Sequence, residues 1–400
     1  MTAATETHTA WRPQMTPAEV AALAVNEGAR TIMVNRPPAI TWHKLKINEV
    51  AANLPALPAA SRTAVEVASG DAVWGAESEP FDAALAEADP AGHFESGMGA
   101  EAEAWLAAHT AERVLVDVAA GEEPDPVVVH VDAQDGAASV CALDIVVREG
   151  ARATVFAQVD SPAGGTGVAG FAVRALVGAG AHLSLVLLQT LDDGYTYLEN
   201  TAALLGAGAH ASLTQTELGA RRSLVGTAFA LDGDESAVDI DTHYLGHGEN
   251  NLDFNYIIRQ RGKATKSNLD ANGSLADASS KILRGTIDFI HGCKGAVGHE
   301  RDTVLLANDK VRNKTMPVLL CDEDDVQGDH GASIGHVNPE QLEYLEARGL
   351  SEAQVEALFV GAQFDYAAVH AFDERAAAGV NRLAQRVIGR EAGAHLEGEE

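Results

Sequence analysis

The chain has 400 residues, 46% of them apolar, which is enough for one large domain with appendages or for two or three domains. Its net charge of −30, from 58 acidic and 28 basic residues, opposes binding to nucleic acid or to an anionic membrane surface. Three scattered cysteines do not form a disulfide framework or a CxxC-type zinc site, and there is neither a signal-peptide pattern nor a membrane-length apolar run, so we expect a cytoplasmic protein with reduced thiols.

The N-terminal hundred residues are rich in alanine and are predicted to be helical or irregular. A capping box with proline at the first helical position predicts that a helix begins at Thr16–Glu19. Prolines exclude a helix at Asn35–Ile40, and the acidic residues 70–103 are predicted to form short helices and loops. We assign residues 1–112 to this N-terminal region.

From about Val114 the sequence consists of short β-type runs separated by turns of small residues. The turns resemble one another and recur roughly every 28 to 30 residues, a period typical of a solenoid whose turns bury their apolar faces against their neighbours. No helical pattern interrupts Val114–Leu320, which disfavours a doubly wound α/β sheet because its parallel strands need crossover helices. We therefore predict a parallel β-helix with its core at residues 113–330. Predicted strands include Val127–Val131, Ser139–Val147, Thr154–Val159, Phe171–Val177, Leu183–Leu188, Val238–Tyr244, Asn255–Arg259 and Ile282–Ile290.

Helical signals return after Val337. The sequence Asn338-Pro339-Glu340-Gln341 predicts a capped helix that ends at Gly349, with Leu350 folding back on Leu345. A second capping box, Ser351–Gln354, starts another helix at once, and residues 374–391 look like one more amphipathic helix. Residues 331–400 are therefore predicted to form a C-terminal helical domain.

The junction between these regions carries a recognisable motif. The run DDVQGDHGASIGHVNPEQLEYLEARGLSEAQVEALFVGAQF, which ends at Phe364, resembles the C-terminal signature of the SufB/SufD family of iron–sulfur cluster assembly proteins. Lys281–Ile287, Leu305–Asn308 and Pro38–Leu45 resemble further family segments, and the likeness is strongest over residues 280–365. The nearer match is to the SufD type.

The resemblance implies a right-handed parallel β-helix flanked by N-terminal and C-terminal helical regions. It also implies a scaffold subunit without a catalytic or nucleotide site of its own, which pairs with a SufB-like subunit and binds a SufC-like ABC ATPase on its C-terminal helices. The candidate ATPase-docking residues are Leu342, Tyr344, Leu345, Leu350, Val355, Leu358 and Phe359.

His330 is the candidate site residue, because the family associates the histidine of this turn with cluster assembly at the SufB–SufD interface. Imidazole is a suitable iron ligand, and Asp329 could add an oxygen ligand or fix the ring tautomer. The expected cargo is a transient iron ion or iron–sulfur cluster, with the remaining ligands supplied by the partner. On pattern alone, a histidine in a glycine-flanked turn is more often structural.

Two departures from the family pattern bear on thiol chemistry. Gly328 stands where many SufD sequences have cysteine, and Asp302 falls where SufB has the cysteine that accepts sulfur. A carboxylate cannot carry a persulfide, so the resemblance favours the SufD role. Cys321 and Cys293 remain as possible thiolate ligands, although free cysteines more often pack as small core residues.

Two other functions stay open on the residues themselves. Abundant Asp and Glu permit a carbohydrate-active β-helix enzyme, a lyase or hydrolase, although 5% aromatic residues leave few side chains for stacking on sugars. A homodimeric binding protein without metal chemistry is the third candidate.

Overall fold

The computed structural model describes residues 29–39, 46–56, 63–69, 73–74, 78–336, 339–389 and 391–392. Most of the described chain is a parallel β-solenoid. Successive strands alternate between two sheets, and eight strands of each sheet run parallel to one another. One sheet contains β6 Val127–Ala133, β8 Arg152–Asp160, β10 His182–Thr190, β12 His210–Glu217, β14 Ala237–Gly246, β16 Lys266–Leu275, β18 Ala296–Leu306 and β20 Val326–His336. The other contains β5 Thr110–Val118, β7 Ala137–Val147, β9 Thr166–Val177, β11 Gly194–Leu205, β13 Arg222–Leu231, β15 Asn251–Gln260, β17 Ser280–Phe289 and β19 Arg312–Cys321.

The repeat predicted from the turns is confirmed by the strand register. His182 lies beside Arg152 in one neighbouring strand and beside His210 in the other, so one turn of the coil takes 28 to 30 residues. Alternate residues point inward, and inward side chains such as Leu213 and Ile240 form one continuous core along the coil. The handedness of the coil remains a prediction from the resemblance.

The N-terminal region contains more strand than expected. β1 (Arg30–Val34) and β2 (Val50–Leu54) form an antiparallel pair, and β3 (Thr63–Ser69) and β4 (Val73–Trp74) add antiparallel strands to the first turn of the solenoid. Helices α1 (Glu79–Ala88) and α2 (Ala100–His109) follow.

The prediction of a mainly helical N-terminus was wrong for the described residues before α1. These strands are short and form because neighbouring strands supply their hydrogen bonds, a tertiary effect that local propensity does not report. Ile32, Val34 and Leu54 then pack against Trp105 and Leu106 of α2. The predicted helix at Thr16–Glu19 lies outside the described residues.

The C-terminal helices follow their local signals closely. They are α3 (Pro339–Ala347), α4 (Glu352–Val369) and α5 (Glu374–Ile388). Gly349 ends the first helical segment with a positive φ of 92°, and Leu350 N–H donates to the Leu345 carbonyl at 3.2 Å. The capping box at Ser351 is confirmed. Val337 and Asn338, part of the predicted cap of α3, lie outside the described residues.

Helices α4 and α5 cover one side of the solenoid. Phe364, Val380 and Leu383 form an apolar cluster with Leu188 and Leu245, which lie on two solenoid strands. None of the helices within the described ranges has the length and apolar character to cross a membrane. The division of the chain at residues 112 and 330 remains a prediction.

Candidate functional site

The last turn of the solenoid presents an open end. Among the described residues, β19 and β20 are the outermost strands of their sheets, and every residue of β20 after Val326 is exposed. The outer edge of such a strand has backbone N–H and C=O groups available to another strand. The structure places the predicted His330 and Asp329 on β20.

His330 and Asp329 lie on opposite faces of β20, as adjacent strand residues must. Asp329 is in register with His299, and its Oδ2 lies 2.6 Å from His299 Nδ1 on the outer face. His330 is in register with Glu300, which is buried inside the coil. The two predicted residues are therefore not brought together, and His330 belongs to the inward-facing row that ends at the open edge.

Glu300 is a buried acidic residue on the inward face of β18, next to His330. Glu300 is 3% exposed, and both of its carboxyl oxygens lack a hydrogen-bond partner among the described residues. Burial, reinforced by the nearby Asp302 charge, raises the pKa of Glu300 to about 8. A Cβ atom at Gly285 would overlap the Glu300 carboxyl group, so the glycine provides the space that this side chain occupies. Sequence reasoning missed Glu300.

Asp302 has full charge compensation. Lys281 Nζ donates to Asp302 Oδ2 at 2.5 Å, Thr315 Oγ1 donates to the same oxygen at 2.5 Å, and Tyr244 OH donates to Oδ1 at 3.2 Å. Lys281 is itself fully buried, and burial lowers its pKa. In this chain Asp302 is thus one half of an internal ion pair.

A column of polar side chains continues inside the coil away from the open end. Tyr197 OH donates to Glu199 Oε2 at 2.8 Å, Gln215 Nε2 donates to Glu199 Oε1, and Tyr256 OH donates to Gln215 Oε1 at 3.0 Å. Burial raises the pKa of Glu199 to about 7, and burial together with the Glu199 charge raises the pKa of Glu217 well above its ordinary value. Sequence reasoning missed this column, although polar residues at inward positions of β12 signal it.

The two candidate thiols differ in their surroundings. Cys293 is buried with Ile287, Phe289 and Ala296, and burial raises the pKa of its thiol to about 11. A protonated thiol is a poor metal ligand. Cys321 is exposed at the end of β19. Cys321 is therefore the accessible thiol of the pair.

The predicted docking residues are split between surface and interior. Tyr344 and Leu358 are large apolar side chains that are 57% and 47% exposed. Leu342, Leu345, Leu350 and Phe359 are half-buried, whereas Val355 is buried. Tyr344 and Leu358 are thus the two that a partner can contact most fully.

A second group of metal-ligating side chains lies away from the open end. Asp89, His93 and Asp232 have ligand atoms close enough to hold an ion, the one such group of three in the part of the chain that the structure describes. These carboxylates are already engaged, since Asp89 accepts the backbone N–H groups of His93 and Phe94 at 2.8 Å. Asp232 contacts His93 Nδ1 and accepts from Arg261. The cluster fastens the segment after α1 to the solenoid.

Comparison with known proteins agrees with the architecture. A family model described as "SUF system FeS cluster assembly, SufBD core domain" matches residues 129–363. The chain is 36% identical over 130 residues to the iron–sulfur cluster assembly protein SufD of Bacillus subtilis, covering 32% of this chain and 30% of that protein. It is 30% identical over 147 residues to a SufBD family protein of Pyrococcus horikoshii, covering 37% and 32%.

A chloroplastic SufBD family protein of Arabidopsis thaliana is 24% identical over 147 residues, covering 37% of this chain and 26% of that protein. The aligned segments thus span a quarter to a third of the length of these curated relatives. The family model, in contrast, covers more than half of the chain, including the solenoid turns that build the open end. The chain therefore belongs to the SufB/SufD family of iron–sulfur cluster assembly proteins, and within that family it resembles the SufD type.

Proposed function

We propose that this chain is a SufD-like scaffold subunit of an iron–sulfur cluster assembly complex. Its open end pairs with a SufB-like subunit, and its C-terminal helices bind a SufC-like ABC ATPase. Iron or a nascent cluster is handled as cargo at the paired end, near His330. The chain contributes no catalytic or ATP site of its own, and its cytoplasmic location stays a prediction.

The open end is the observation that carries this proposal. β20 has an exposed outer edge and, on its inward row, Ile334, an apolar side chain that is 54% exposed. In a solenoid, the inward side chains of one turn pack against those of the next turn. An exposed Ile334 on the last turn therefore indicates a surface against which a second β-solenoid could pack. Burying that side chain would add about 1.5–3 kcal/mol to pairing.

The ATPase contact is supported by the surface of α3 and α4. Tyr344 is held by Arg348, whose guanidinium lies 5.0 Å from the ring centre and donates to the hydroxyl at 2.7 Å. Leu358 adds an exposed apolar contact on α4. Ordered aromatic and apolar side chains of this kind are common anchors in protein interfaces.

The carbohydrate-active alternative does not fit the paired acids. Glu199 and Glu217 interact electrostatically, but both lie inside the coil at 0% and 1% exposure, where a polysaccharide cannot reach them. A glycoside hydrolase needs its two carboxyl groups on either side of a bound sugar. Family membership favours assembly instead.

Co-expression with SufB-like and SufC-like partners tests the proposal. We expect the three proteins to co-purify in fixed stoichiometry. Ile334→Asp should remove the SufB-like subunit while retaining the ATPase, because it places a charge on the apolar row of the open end. Leu358→Asp should have the opposite effect, so each variant is the control for the other.

Several outcomes would contradict this assignment. A folded chain that binds neither partner, or one in which both variants behave like the wild type, would remove it. If the chain forms a homodimer through the open end, and the SufB-like subunit does not replace one copy in that dimer, the homodimeric binding protein would be the better assignment.

A further inference from the structure

We propose that Glu300 is the second protein ligand, together with His330, for a ferrous ion bound at the open end of the solenoid. The inference rests on the proposed function, in which iron is handled at this end, and it adds a residue that neither the motif nor the comparisons single out.

The strand register places the two groups together. Glu300 and His330 are in-register partners on β18 and β20, and both belong to the inward-facing row. Neighbouring strands lie about 4.8 Å apart, so two side chains projecting from the same face can converge on one ion. The inward neighbours of His330 on β20 are the small residues Gly328 and Ala332.

The burial and the missing hydrogen bonds of the Glu300 carboxyl group favour cation binding. A buried carboxyl group that has no hydrogen-bond partner among the described residues is costly to keep ionised, and a coordinated cation offsets that cost. Asp302, two residues along the same row, already has three donors to its carboxylate. The contrast singles out Glu300 as the carboxyl group with free oxygens.

The ligand chemistry suits ferrous iron. One imidazole nitrogen and one carboxylate oxygen are a donor pair that non-haem Fe(II) accepts, with the other positions left to water or to a partner's side chains. Asp329 is directed elsewhere, because its carboxylate contacts His299 on the outer face. Asp329 therefore offers a control carboxyl group that lies next to His330 on β20 but on the opposite face of the strand.

Titration of the isolated full-length chain with Co²⁺, a spectroscopic stand-in for Fe²⁺, tests the assignment. All variants carry His93→Ala, so that the Asp89–His93–Asp232 cluster does not contribute to the signal. We expect one Co²⁺ per chain, with visible bands that His330→Ala abolishes. Glu300→Gln should weaken binding by roughly 10-fold or more, while Asp329→Asn leaves it unchanged.

Equal Co²⁺ affinity in Glu300→Gln and its parent would overturn the inference, as would an equal loss in Asp329→Asn. Thermal melting distinguishes lost ligation from lost folding, since Glu300→Gln should melt at or above the parent temperature. The assay contains no partner, so its outcome does not depend on whether the chain pairs with a SufB-like subunit or binds the ATPase. If Co²⁺ binds through Glu300 but the chain does not co-purify with the SufB-like and SufC-like partners, the result would support the ligand pair and contradict the scaffold role.

Discussion

At the residue scale, the buried Lys281–Asp302 pair offers a direct test of the interior. Lys281→Met preserves most of the side-chain volume but leaves the Asp302 carboxylate buried without its cation. Breaking a buried pair in this way costs about 3–5 kcal/mol, because one charge stays uncompensated. We expect a loss of that size in the free energy of unfolding measured by urea denaturation.

The double variant Lys281→Met, Asp302→Val is the control. Replacing both charges removes the uncompensated group, so much of the lost stability should return. A single variant that unfolds within about 1 kcal/mol of the wild type would show that Asp302 is compensated by Thr315 and Tyr244 alone.

Glu300 predicts a pH dependence of stability. Its folded pKa of about 8 lies above the ordinary 4.5, so between these values the folded chain binds more protons than the unfolded chain. Stability is therefore lost as pH rises through this window. Glu300→Gln removes that loss and should be more stable than wild type at pH 9, by on the order of a few kcal/mol, with a much smaller difference at pH 5.

Urea midpoints at pH 5, 7 and 9 measure the effect. Glu249→Gln is the control for the substitution itself, since Glu249 lies in an exposed turn and pairs with Arg221 at the surface, and it should change the midpoint little because exposed ion pairs contribute little to stability. A pH-independent difference between Glu300→Gln and wild type would contradict the prediction.

Residue roles were only partly predictable. The packing of Cys293 as a small core residue followed from its chemistry, and the motif located His330 at the last turn. The run His299-Glu300-Arg301-Asp302 reads as a solvated charged stretch, yet strand alternation buries its second and fourth members. Only the stacking of β18 beneath β20 reveals which charges are enclosed.

At the element scale, α5 is held to the solenoid by its first turn. Asp373 caps the helix by accepting the Ala376 N–H at 2.8 Å, and its other oxygen lies 2.7 Å from Nε2 of the buried His130. Asp373→Ala should loosen α5 by about 2–3 kcal/mol, the sum of a lost cap and the lost partner of His130 Nε2, while His130 Nδ1 keeps its contact with Gln158. Hydrogen exchange of the α5 amides measures this change.

Ser351→Ala is the matched control, because Ser351 is also an N-cap but is exposed, and its side chain hydrogen-bonds to Gln354 of the same helix rather than to the described part of the solenoid. It should cost about 1 kcal/mol, confined to α4. Equal effects of the two substitutions would mean that the His130 contact adds nothing to the attachment of α5.

Elements were most predictable where local signals and tertiary packing agree. The caps at Gly349 and Ser351 are formed by neighbouring residues, and each solenoid strand carries its own alternation. β2 lacked such a signal, because Val50–Leu54 is an alanine-containing stretch that becomes a strand through its pairing with Arg30–Val34.

At the scale of the whole molecule, a stacked coil should be least stable where stacking stops. In the isolated chain we expect the amides of β20 to exchange with solvent much faster than those of β10 and β12, which have strands on both sides. Hydrogen-exchange mass spectrometry measures the gradient, and addition of the SufB-like subunit should slow exchange in β20 selectively. Uniform exchange along the solenoid, or protection elsewhere, would contradict this expectation.

The two ends of the coil also differ in strand direction. At the first turn, β3 runs antiparallel to β6 and carries a register shift between Val67 and Ser69, whereas β20 ends the same sheet in the parallel direction. A second chain can therefore continue the coil with parallel strands at the β20 end, whereas at the first turn it would meet the antiparallel strand β3. Front-to-back stacking of identical copies would insert an antiparallel strand at every junction, so the fold favours contacts of the β20 edge that stop at a pair over an endless parallel series.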